Sequence, residues 1–267
     1  MANTIGHIIA VASGKGGVGK STVTANLALA MAAQGKRVGV LDADIYGPSQ
    51  AHMLGVAPHT RPQMVDDKTM LPVDAHGVRI MSIAFLVDTA TPMIWRGPMA
   101  STALQQLYNQ TQWGELDYLF IDMPPGTGDI QLTLAQKIPV SGAVIVTTPQ
   151  DIALLDAERG IEMFRKVHVP VMGIVENMSL HTCSCCGHQE AIFGEGGGQR
   201  IAERYEAPVL GRLPLALSIR EQMDQGTPPV VAAPKHETAQ HFAAIVAQLD
   251  ASCQALPDPS GPTIGFS

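Results

Sequence analysis

The chain has 267 residues, of which 46% are hydrophobic and 15% charged, and its formal net charge is −7 at pH 7. This is the composition of a globular protein, and no apolar run approaches the roughly 18 residues that a membrane helix needs. Acidic residues outnumber basic ones by 24 to 17, which argues against nucleic acid or a membrane as a partner. Because the N-terminus has no secretory pattern, we expect a cytoplasmic protein with reduced thiols.

Short apolar runs and helical patterns alternate along the chain. The runs are rich in β-branched residues and predict buried strands at residues 8–11, 38–41, 78–83, 118–121, 143–146 and 171–175. Helices are predicted from Lys20 to a stop at Gly35 and at about 99–109, 151–167, 198–205 and 237–253. Such alternation is typical of βαβ units, so we expect a three-layer α/β/α fold around a mainly parallel sheet.

The pattern gives no reason to divide the chain. Residues 50–76 have weak periodicity and are expected to cross the surface without regular structure. No internal repeat or linker is evident elsewhere. The sequence therefore predicts a single domain over residues 1–254 and a flexible tail over residues 255–267.

A glycine-rich segment between the first predicted strand and helix matches the phosphate-binding pattern G-x-x-x-x-G-K-[ST]. The glycines let backbone N–H groups turn toward a phosphate, and the helix N-terminus adds the positive end of its dipole. We expect Lys20 to neutralise phosphate oxygens without a role in the core, and the Ser21 hydroxyl to bind Mg²⁺. The candidate nucleotide-binding residues are Gly14, Lys15, Gly16, Gly17, Val18, Gly19, Lys20, Ser21 and Thr22.

Two acidic residues follow predicted strands. Asp44 comes just after the second strand, and Asp122 comes directly after the strand at 118–121. The carboxyl ends of parallel strands face the crevice in which open α/β sheets bind ligands, so both carboxylates are candidates for Mg²⁺ and water chemistry. We expect Asp122 to reach Mg²⁺ through a water. As an alternative, each aspartate caps the helix after its strand.

A second lysine in the loop, Lys15, makes it resemble the deviant phosphate loop of the MinD/ParA/nitrogenase-iron-protein class of ATPases. Within this class the chain resembles the Mrp/ApbC iron–sulfur cluster carrier ATPases in the segments 42–49, 95–99, 113–129, 176–179 and 192–197 and in the pair Cys183 and Cys186. The resemblance implies a P-loop NTPase fold, binding and hydrolysis of ATP, and a homodimer. It also implies a [4Fe–4S] cluster that lies between the subunits and passes to apo iron–sulfur proteins, with cluster scaffold proteins as further partners.

The resemblance assigns roles to two further residues. Lys15 is expected to reach the partner's phosphates across the dimer and to act in hydrolysis together with Lys20, Asp44 and Asp122. Asn177 matches the residue that contacts adenine. The alternatives are a surface lysine that only solvates the loop, and an asparagine that caps the turn after its strand.

Three of the four cysteines, Cys183, Cys185 and Cys186, lie within four positions. The pair Cys183 and Cys186 supplies two thiolates, whereas a cubane cluster or a structural zinc takes four ligands. A twofold axis would bring the same pair from a second chain, which makes these two the predicted metal ligands and Cys185 a bystander. Zinc fits the same four thiolates, and a redox pair is a further alternative. Cys253 is expected in the core.

Other functions of this fold class stay open. A MinD/ParA-type positioning ATPase with a structural zinc at the dimer interface needs a basic surface, which the C-terminal part lacks. A nucleotide-gated reductase binds its cluster through well-separated single cysteines rather than a tight pair. A binding module without hydrolysis is the third alternative.

Overall fold

The computed structural model describes residues 3–86 and 97–256. Within these ranges the strands are β1 Thr4–Ala12, β2 Val38–Asp42, β3 Val73–Ala75, β4 Val78–Ser82, β5 Glu115–Asp122, β6 Gly142–Thr147, β7 Val171–Glu176, β8 His181–Thr182, β9 Gln189–Glu190 and β10 Val209–Arg212. The helices are α1 Lys20–Ala33, α2 Gln50–Met53, α3 Gly97–Gln110, α4 Asp129–Lys137, α5 Asp151–Lys166, α6 Gly197–Tyr205, α7 Leu217–Asp224, α8 Pro229–Ala232 and α9 Glu237–Gln254.

Eight of these strands form one sheet in the order β10-β7-β6-β1-β5-β2-β4-β3. All neighbours in it are parallel except β3, which pairs antiparallel with β4 at one edge. The central strands are apolar in consecutive positions, and Ile9, Val40 and Phe120 are fully buried. Strands covered on both faces read as continuous apolar runs, so the predicted parallel sheet is confirmed.

The helices form two groups that flank the sheet. α1 contacts α8 and α9, and the chain of contacts α3 to α4, α4 to α5 and α5 to α6 makes the second group. α1 is buried over most of its surface, from Val23 to Met31, which suits a central helix that packs on the sheet and beneath α9. It ends before Gly35, whose φ of 85° lies in the left-handed region that glycine tolerates.

Each predicted strand and helix is present, but several short elements went unpredicted. β10 has four residues, of which Gly211 sits so close to α9 that a Cβ would lie 2.5 Å from the Ile245 side chain. Such a short run has no clear period, and tertiary pairing with β7 makes it a strand. The helices α4, α7 and α8 are short and were not predicted either. Residues 50–76 are irregular, as expected, apart from α2, β3 and isolated bridges.

Several predictions fall outside the described ranges. They concern most of the tail, from residue 257 onward, and residues 95–96 of one family segment. Leu256, the last described residue, still packs against the core. None of the described helices combines the length and apolar character required to cross a membrane.

The parallel topology sets the position of the site. β1, β2, β5 and β7 all end at the same edge of the sheet, and their carboxyl ends lead into the phosphate loop, Asp42, Asp122 and Asn177. Residues far apart in sequence therefore meet at this edge.

Candidate functional site

The phosphate loop joins β1 to α1 and borders a cavity of about 200 Å³. Gly17 and Gly19 have φ values of 83° and 82°, which a residue with a Cβ rarely adopts. Gly14 and Gly19 are also required by close packing, since a Cβ on Gly14 would lie 2.0 Å from the Asp156 carbonyl oxygen and one on Gly19 2.3 Å from Asn177 Nδ2. The cavity is lined by residues 15–22 together with Ser13, Asp44, Ser49, Met53 and Pro125.

Lys20 is part of a buried ion pair. Its side chain is 5% exposed, and Nζ lies 2.5 Å from Asp122 Oδ1 and 3.8 Å from Asp44 Oδ2. Nζ also donates to Ser21 Oγ at 3.3 Å. The expectation that Lys20 has no role in the core is therefore wrong, because this ammonium compensates the charge of a buried carboxylate.

Asp122 is fully buried and held from two sides. Oδ1 accepts hydrogen bonds from Lys20 Nζ and, at 3.1 Å, from Thr24 Oγ1. Oδ2 accepts one from Gln50 Nε2 at 2.8 Å. The helix after β5 begins at Gly128 as its N-cap, so the alternative that Asp122 caps it is wrong.

Asp42 is a functional candidate that the sequence did not single out. It lies opposite Asp122 in the pairing of β2 with β5 and is fully buried. Its Oδ2 accepts from the Gln50 backbone N–H at 3.1 Å and from Ser82 Oγ at 3.0 Å. Burial, followed by the negative charge of Asp122, raises the pKa of Asp42 to about 7. The sequence signal that could have identified Asp42 is its position at the end of β2, two residues before Asp44.

Asp44 carries an unused acceptor. Its Oδ1 is buried and has no hydrogen-bond partner among the described residues, an arrangement that costs about 1–3 kcal/mol. Burial raises the pKa of Asp44, although nearby Lys20 opposes that shift. The N-cap of the following helix is Ser49, so Asp44 does not cap it, contrary to the alternative.

The donor set at this edge fits Mg²⁺. Magnesium prefers hard oxygen ligands and keeps several of its waters. The Oδ1 of Asp44 meets no donor from the described residues, and the Ser21 hydroxyl and Asp122 both lie within reach of Lys20 Nζ. Ser21 and Asp122, with Asp44 beside them, are the residues suited to hold the ion or its waters.

Asn177 follows β7 and braces the phosphate loop. Its Nδ2 donates to the Val18 carbonyl at 2.8 Å, and its backbone N–H donates to the Thr147 carbonyl at 2.7 Å. The side chain is thus directed at the loop rather than at its own turn, which removes the turn-capping alternative. Lys15 is half-buried at the cavity wall, and its ammonium forms no ion pair with the described residues.

The cysteine cluster lies on a small hairpin formed by β8 and β9. The Cys183 N–H donates to His188 O and the Gly187 N–H donates to Cys183 O, each at 2.9 Å. The backbone N–H groups of Cys185 and Cys186 donate to the Cys183 sulfur, and these hydrogen bonds, the one from Cys185 most strongly, lower the pKa of its thiol. Cys185 and Cys186 are exposed, and Cys183 is partly so.

A single chain does not complete a metal site at this hairpin. Across residues 3–86 and 97–256, no group of three or more His, Cys, Asp or Glu side chains is arranged to hold a metal ion. The fourth cysteine, Cys253, is 1% exposed in the core, as expected, and burial raises the pKa of its thiol to about 11. A metal ion at Cys183 and Cys186 would therefore need further ligands from elsewhere.

Comparisons with known proteins agree with this geometry. The model of the NUBPL iron-transfer P-loop NTPases, a ParA-type family, matches residues 4–250. An iron-sulfur cluster carrier protein of Pseudomonas fragi is 65% identical over 233 residues, which cover 87% of this chain and 81% of that protein. One from Haemophilus influenzae is 64% identical over 236 residues, covering 88% of this chain and 64% of the relative.

A solved structure is similar over a comparable share of the chain. The nucleotide-binding protein of Archaeoglobus fulgidus in complex with ADP superposes with a TM-score of 0.76 at 39% identity, covering 89% of this chain and 92% of that one. On these grounds the chain belongs to the NUBPL iron-transfer family of P-loop NTPases.

Proposed function

We propose that this protein binds and hydrolyses ATP with Mg²⁺ and, as a homodimer, carries a [4Fe–4S] cluster to apo iron–sulfur proteins. The observation that carries the proposal is the pair of accessible thiols of Cys183, which is partly exposed, and Cys186, which is exposed. They form a half-complete thiolate site on the same chain as a formed phosphate loop. The names of the Pseudomonas and Haemophilus relatives support the cargo. The ADP bound to the Archaeoglobus protein supports the nucleotide. Cluster scaffold proteins are proposed as donors, and the cytoplasm as the setting.

The residues at the phosphate loop divide the work of binding ATP. When ATP binds, the Lys20 ammonium moves from Asp122 to the β- and γ-phosphates, because these carry more negative charge than a single carboxylate. Thr24 and Gln50 then keep Asp122 in place, since their hydrogen bonds to it do not involve Lys20. Ser21, and Asp122 through a water, would hold Mg²⁺, which would neutralise charge at the phosphates. Asn177 contacts the adenine from the end of β7.

Three observations favour a dimer on the face that carries the loop. Two thiolates per chain become four across a twofold axis, which completes the coordination of a cubane. Lys15 has no ion-pair partner among the described residues and is free to meet the partner's phosphates. Ile152 and Leu155 of α5 are 70% and 58% exposed beside Asp156, which touches Gly14. Large exposed aliphatic side chains favour association.

Anaerobic reconstitution with iron and sulfide tests the proposal. The expected result is four iron and four sulfide per two chains, together with release of phosphate from ATP. Stoichiometric zinc without capacity for iron would contradict the carrier function and favour the positioning ATPase with a structural zinc. Iron binding without any phosphate release would contradict the ATPase part alone.

A further inference from the structure

Gln50 joins three parts of the nucleotide site although it carries no recognised motif. It is the first residue of α2 and is fully buried. Its Nε2 donates to Asp122 Oδ2 at 2.8 Å and to the Ser21 carbonyl at 2.9 Å. Its backbone N–H donates to Asp42 Oδ2 at 3.1 Å. The ends of β2 and β5 and the first turn of α1 are thus linked through one residue.

The chemistry of its neighbours sets the orientation of the Gln50 amide. A carboxylate and a carbonyl are both acceptors, so only the NH₂ end of the amide can face them. Its oxygen, Oε1, is consequently left buried without a partner among the described residues. An apolar side chain of this length would avoid that unpaired oxygen. What the amide contributes here is therefore its two donated hydrogen bonds, one of which holds Asp122.

We infer that Gln50 is a positioning residue of the ATPase site, which fixes the Asp122 carboxylate against the first turn of α1 so that Asp122 and Ser21 face Mg²⁺ together. The inference rests on the proposed function, because it concerns the use of Mg²⁺ with nucleotide. Lys20 and Thr24 hold the other oxygen of Asp122, and Lys20 is the group that nucleotide draws away. Gln50 is then the principal restraint on Oδ2.

The segment before α2 is anchored at both of its ends. Residues 43–49 carry Asp44 and lead from β2 directly into Gln50. At the start, Ala43 is buried in the core and its N–H donates to the Asp122 carbonyl at 3.0 Å. At the end, Gln50 holds the chain against α1 and β5. Asp44 thus lies in a segment that is fixed to β5 at its start and by Gln50 at its end.

The test measures ADP binding by titration calorimetry, with EDTA and over a range of Mg²⁺ concentrations, for wild type and Gln50→Met. Met keeps the length of the side chain and removes both donors. We expect ADP affinity in EDTA within about twofold of wild type, a roughly tenfold higher Mg²⁺ concentration for half-maximal tightening, and a roughly tenfold lower kcat with a similar KM. Gln50→Glu, which replaces the donors with a carboxylate, should show the larger change of the two.

Ser82→Ala is the matched control. Ser82 is also fully buried and donates to Asp42, but it does not touch Asp122. It should keep the Mg²⁺ requirement of wild type, whatever its melting temperature. A folded Gln50→Met with the wild-type Mg²⁺ requirement would overturn the inference, and so would the same change in Ser82→Ala. If wild type binds no ADP, the proposed function fails instead.

Discussion

The phosphate loop and the cysteine hairpin differ in how complete a binding site a single chain forms at each of them. At the loop, Lys20, Asp42 and Asp122 are buried and hydrogen-bonded before any ligand arrives. At the hairpin, the three cysteines lie in the connection between two strands of two residues each, where Cys185 and Cys186 are exposed and Cys183 is partly so. No metal-binding group is complete there in the described ranges. A buried site preorganises charge for chemistry, whereas an exposed half-site allows a cargo to enter and leave. One chain thus supplies a formed phosphate loop but only part of a thiolate site.

The largest expected effect is at the hairpin. Cys183→Ala should abolish bound iron, from four per dimer to none, because removal of one thiolate per chain leaves a cubane only two of its four ligands. Iron and sulfide analysis after anaerobic reconstitution measures this. Cys186→Ala should behave in the same way, and Cys185→Ala and Cys253→Ala should retain the cluster. Loss of iron in Cys185→Ala with retention in Cys186→Ala would reassign the ligand.

The second effect, at the loop, combines function with stability. Lys20→Ala should weaken ATP binding by at least about a hundredfold and also lower the free energy of unfolding by about 3 kcal/mol, because the carboxylate of Asp122 is left buried without its cation. Calorimetric titration and urea denaturation measure the two effects. The double variant Lys20→Ala with Asp122→Ala should regain stability but not binding. ATP affinity within twofold of wild type would refute the role of Lys20.

The third prediction concerns whether ATP hydrolysis at the phosphate loop also requires a second chain. Lys15→Gln should keep ATP binding but lower turnover by about a hundredfold, since a cation that crosses the interface acts only in the closed dimer. Phosphate release and ATP affinity are the measurements. Lys137→Gln, at the exposed end of α4, is the control and should have no effect. Unchanged turnover in Lys15→Gln would make the loop a one-chain site.

The smallest expected effect lies near the middle of β5, four residues before Asp122. Tyr118 donates to Asp250 at 2.5 Å, and this bond lowers the pKa of Asp250. Tyr118→Phe should lower the free energy of unfolding by about 1 kcal/mol at pH 7. A lowered pKa means that the carboxylate stabilises the fold at neutral pH and that this contribution is lost as the pH falls, so the difference should shrink in acid. Nucleotide and iron binding should not change, and a loss of either would show that the scaffold and sites are coupled.

Much of the fold was readable from local patterns. The strands of the parallel sheet are buried on both faces, so each shows as an apolar run, and the end of α1 is marked by Gly35. The phosphate loop and the cysteine pair are contiguous motifs whose chemistry depends on adjacent residues. Even so, β10 was missed, since a four-residue edge strand with a glycine has no pattern of its own until β7 pairs with it.

The contacts that make the loop a site are not local. Asp42 and Asp122 are eighty residues apart and face one another only because β2 and β5 pair in register. Gln50 stands in an irregular stretch with no motif, and only the packing of α2 onto this edge brings its amide to Asp122 and Ser21. Sequence order favours the pairing of consecutive strands, yet β2 and β5 are neighbours here although β3 and β4 lie between them in the chain. The sequence alone therefore determined the motifs and most of the strands. Which charges are paired was decided by the tertiary structure, because burial and strand register determine which carboxylates lie next to Lys20 and the Gln50 amide.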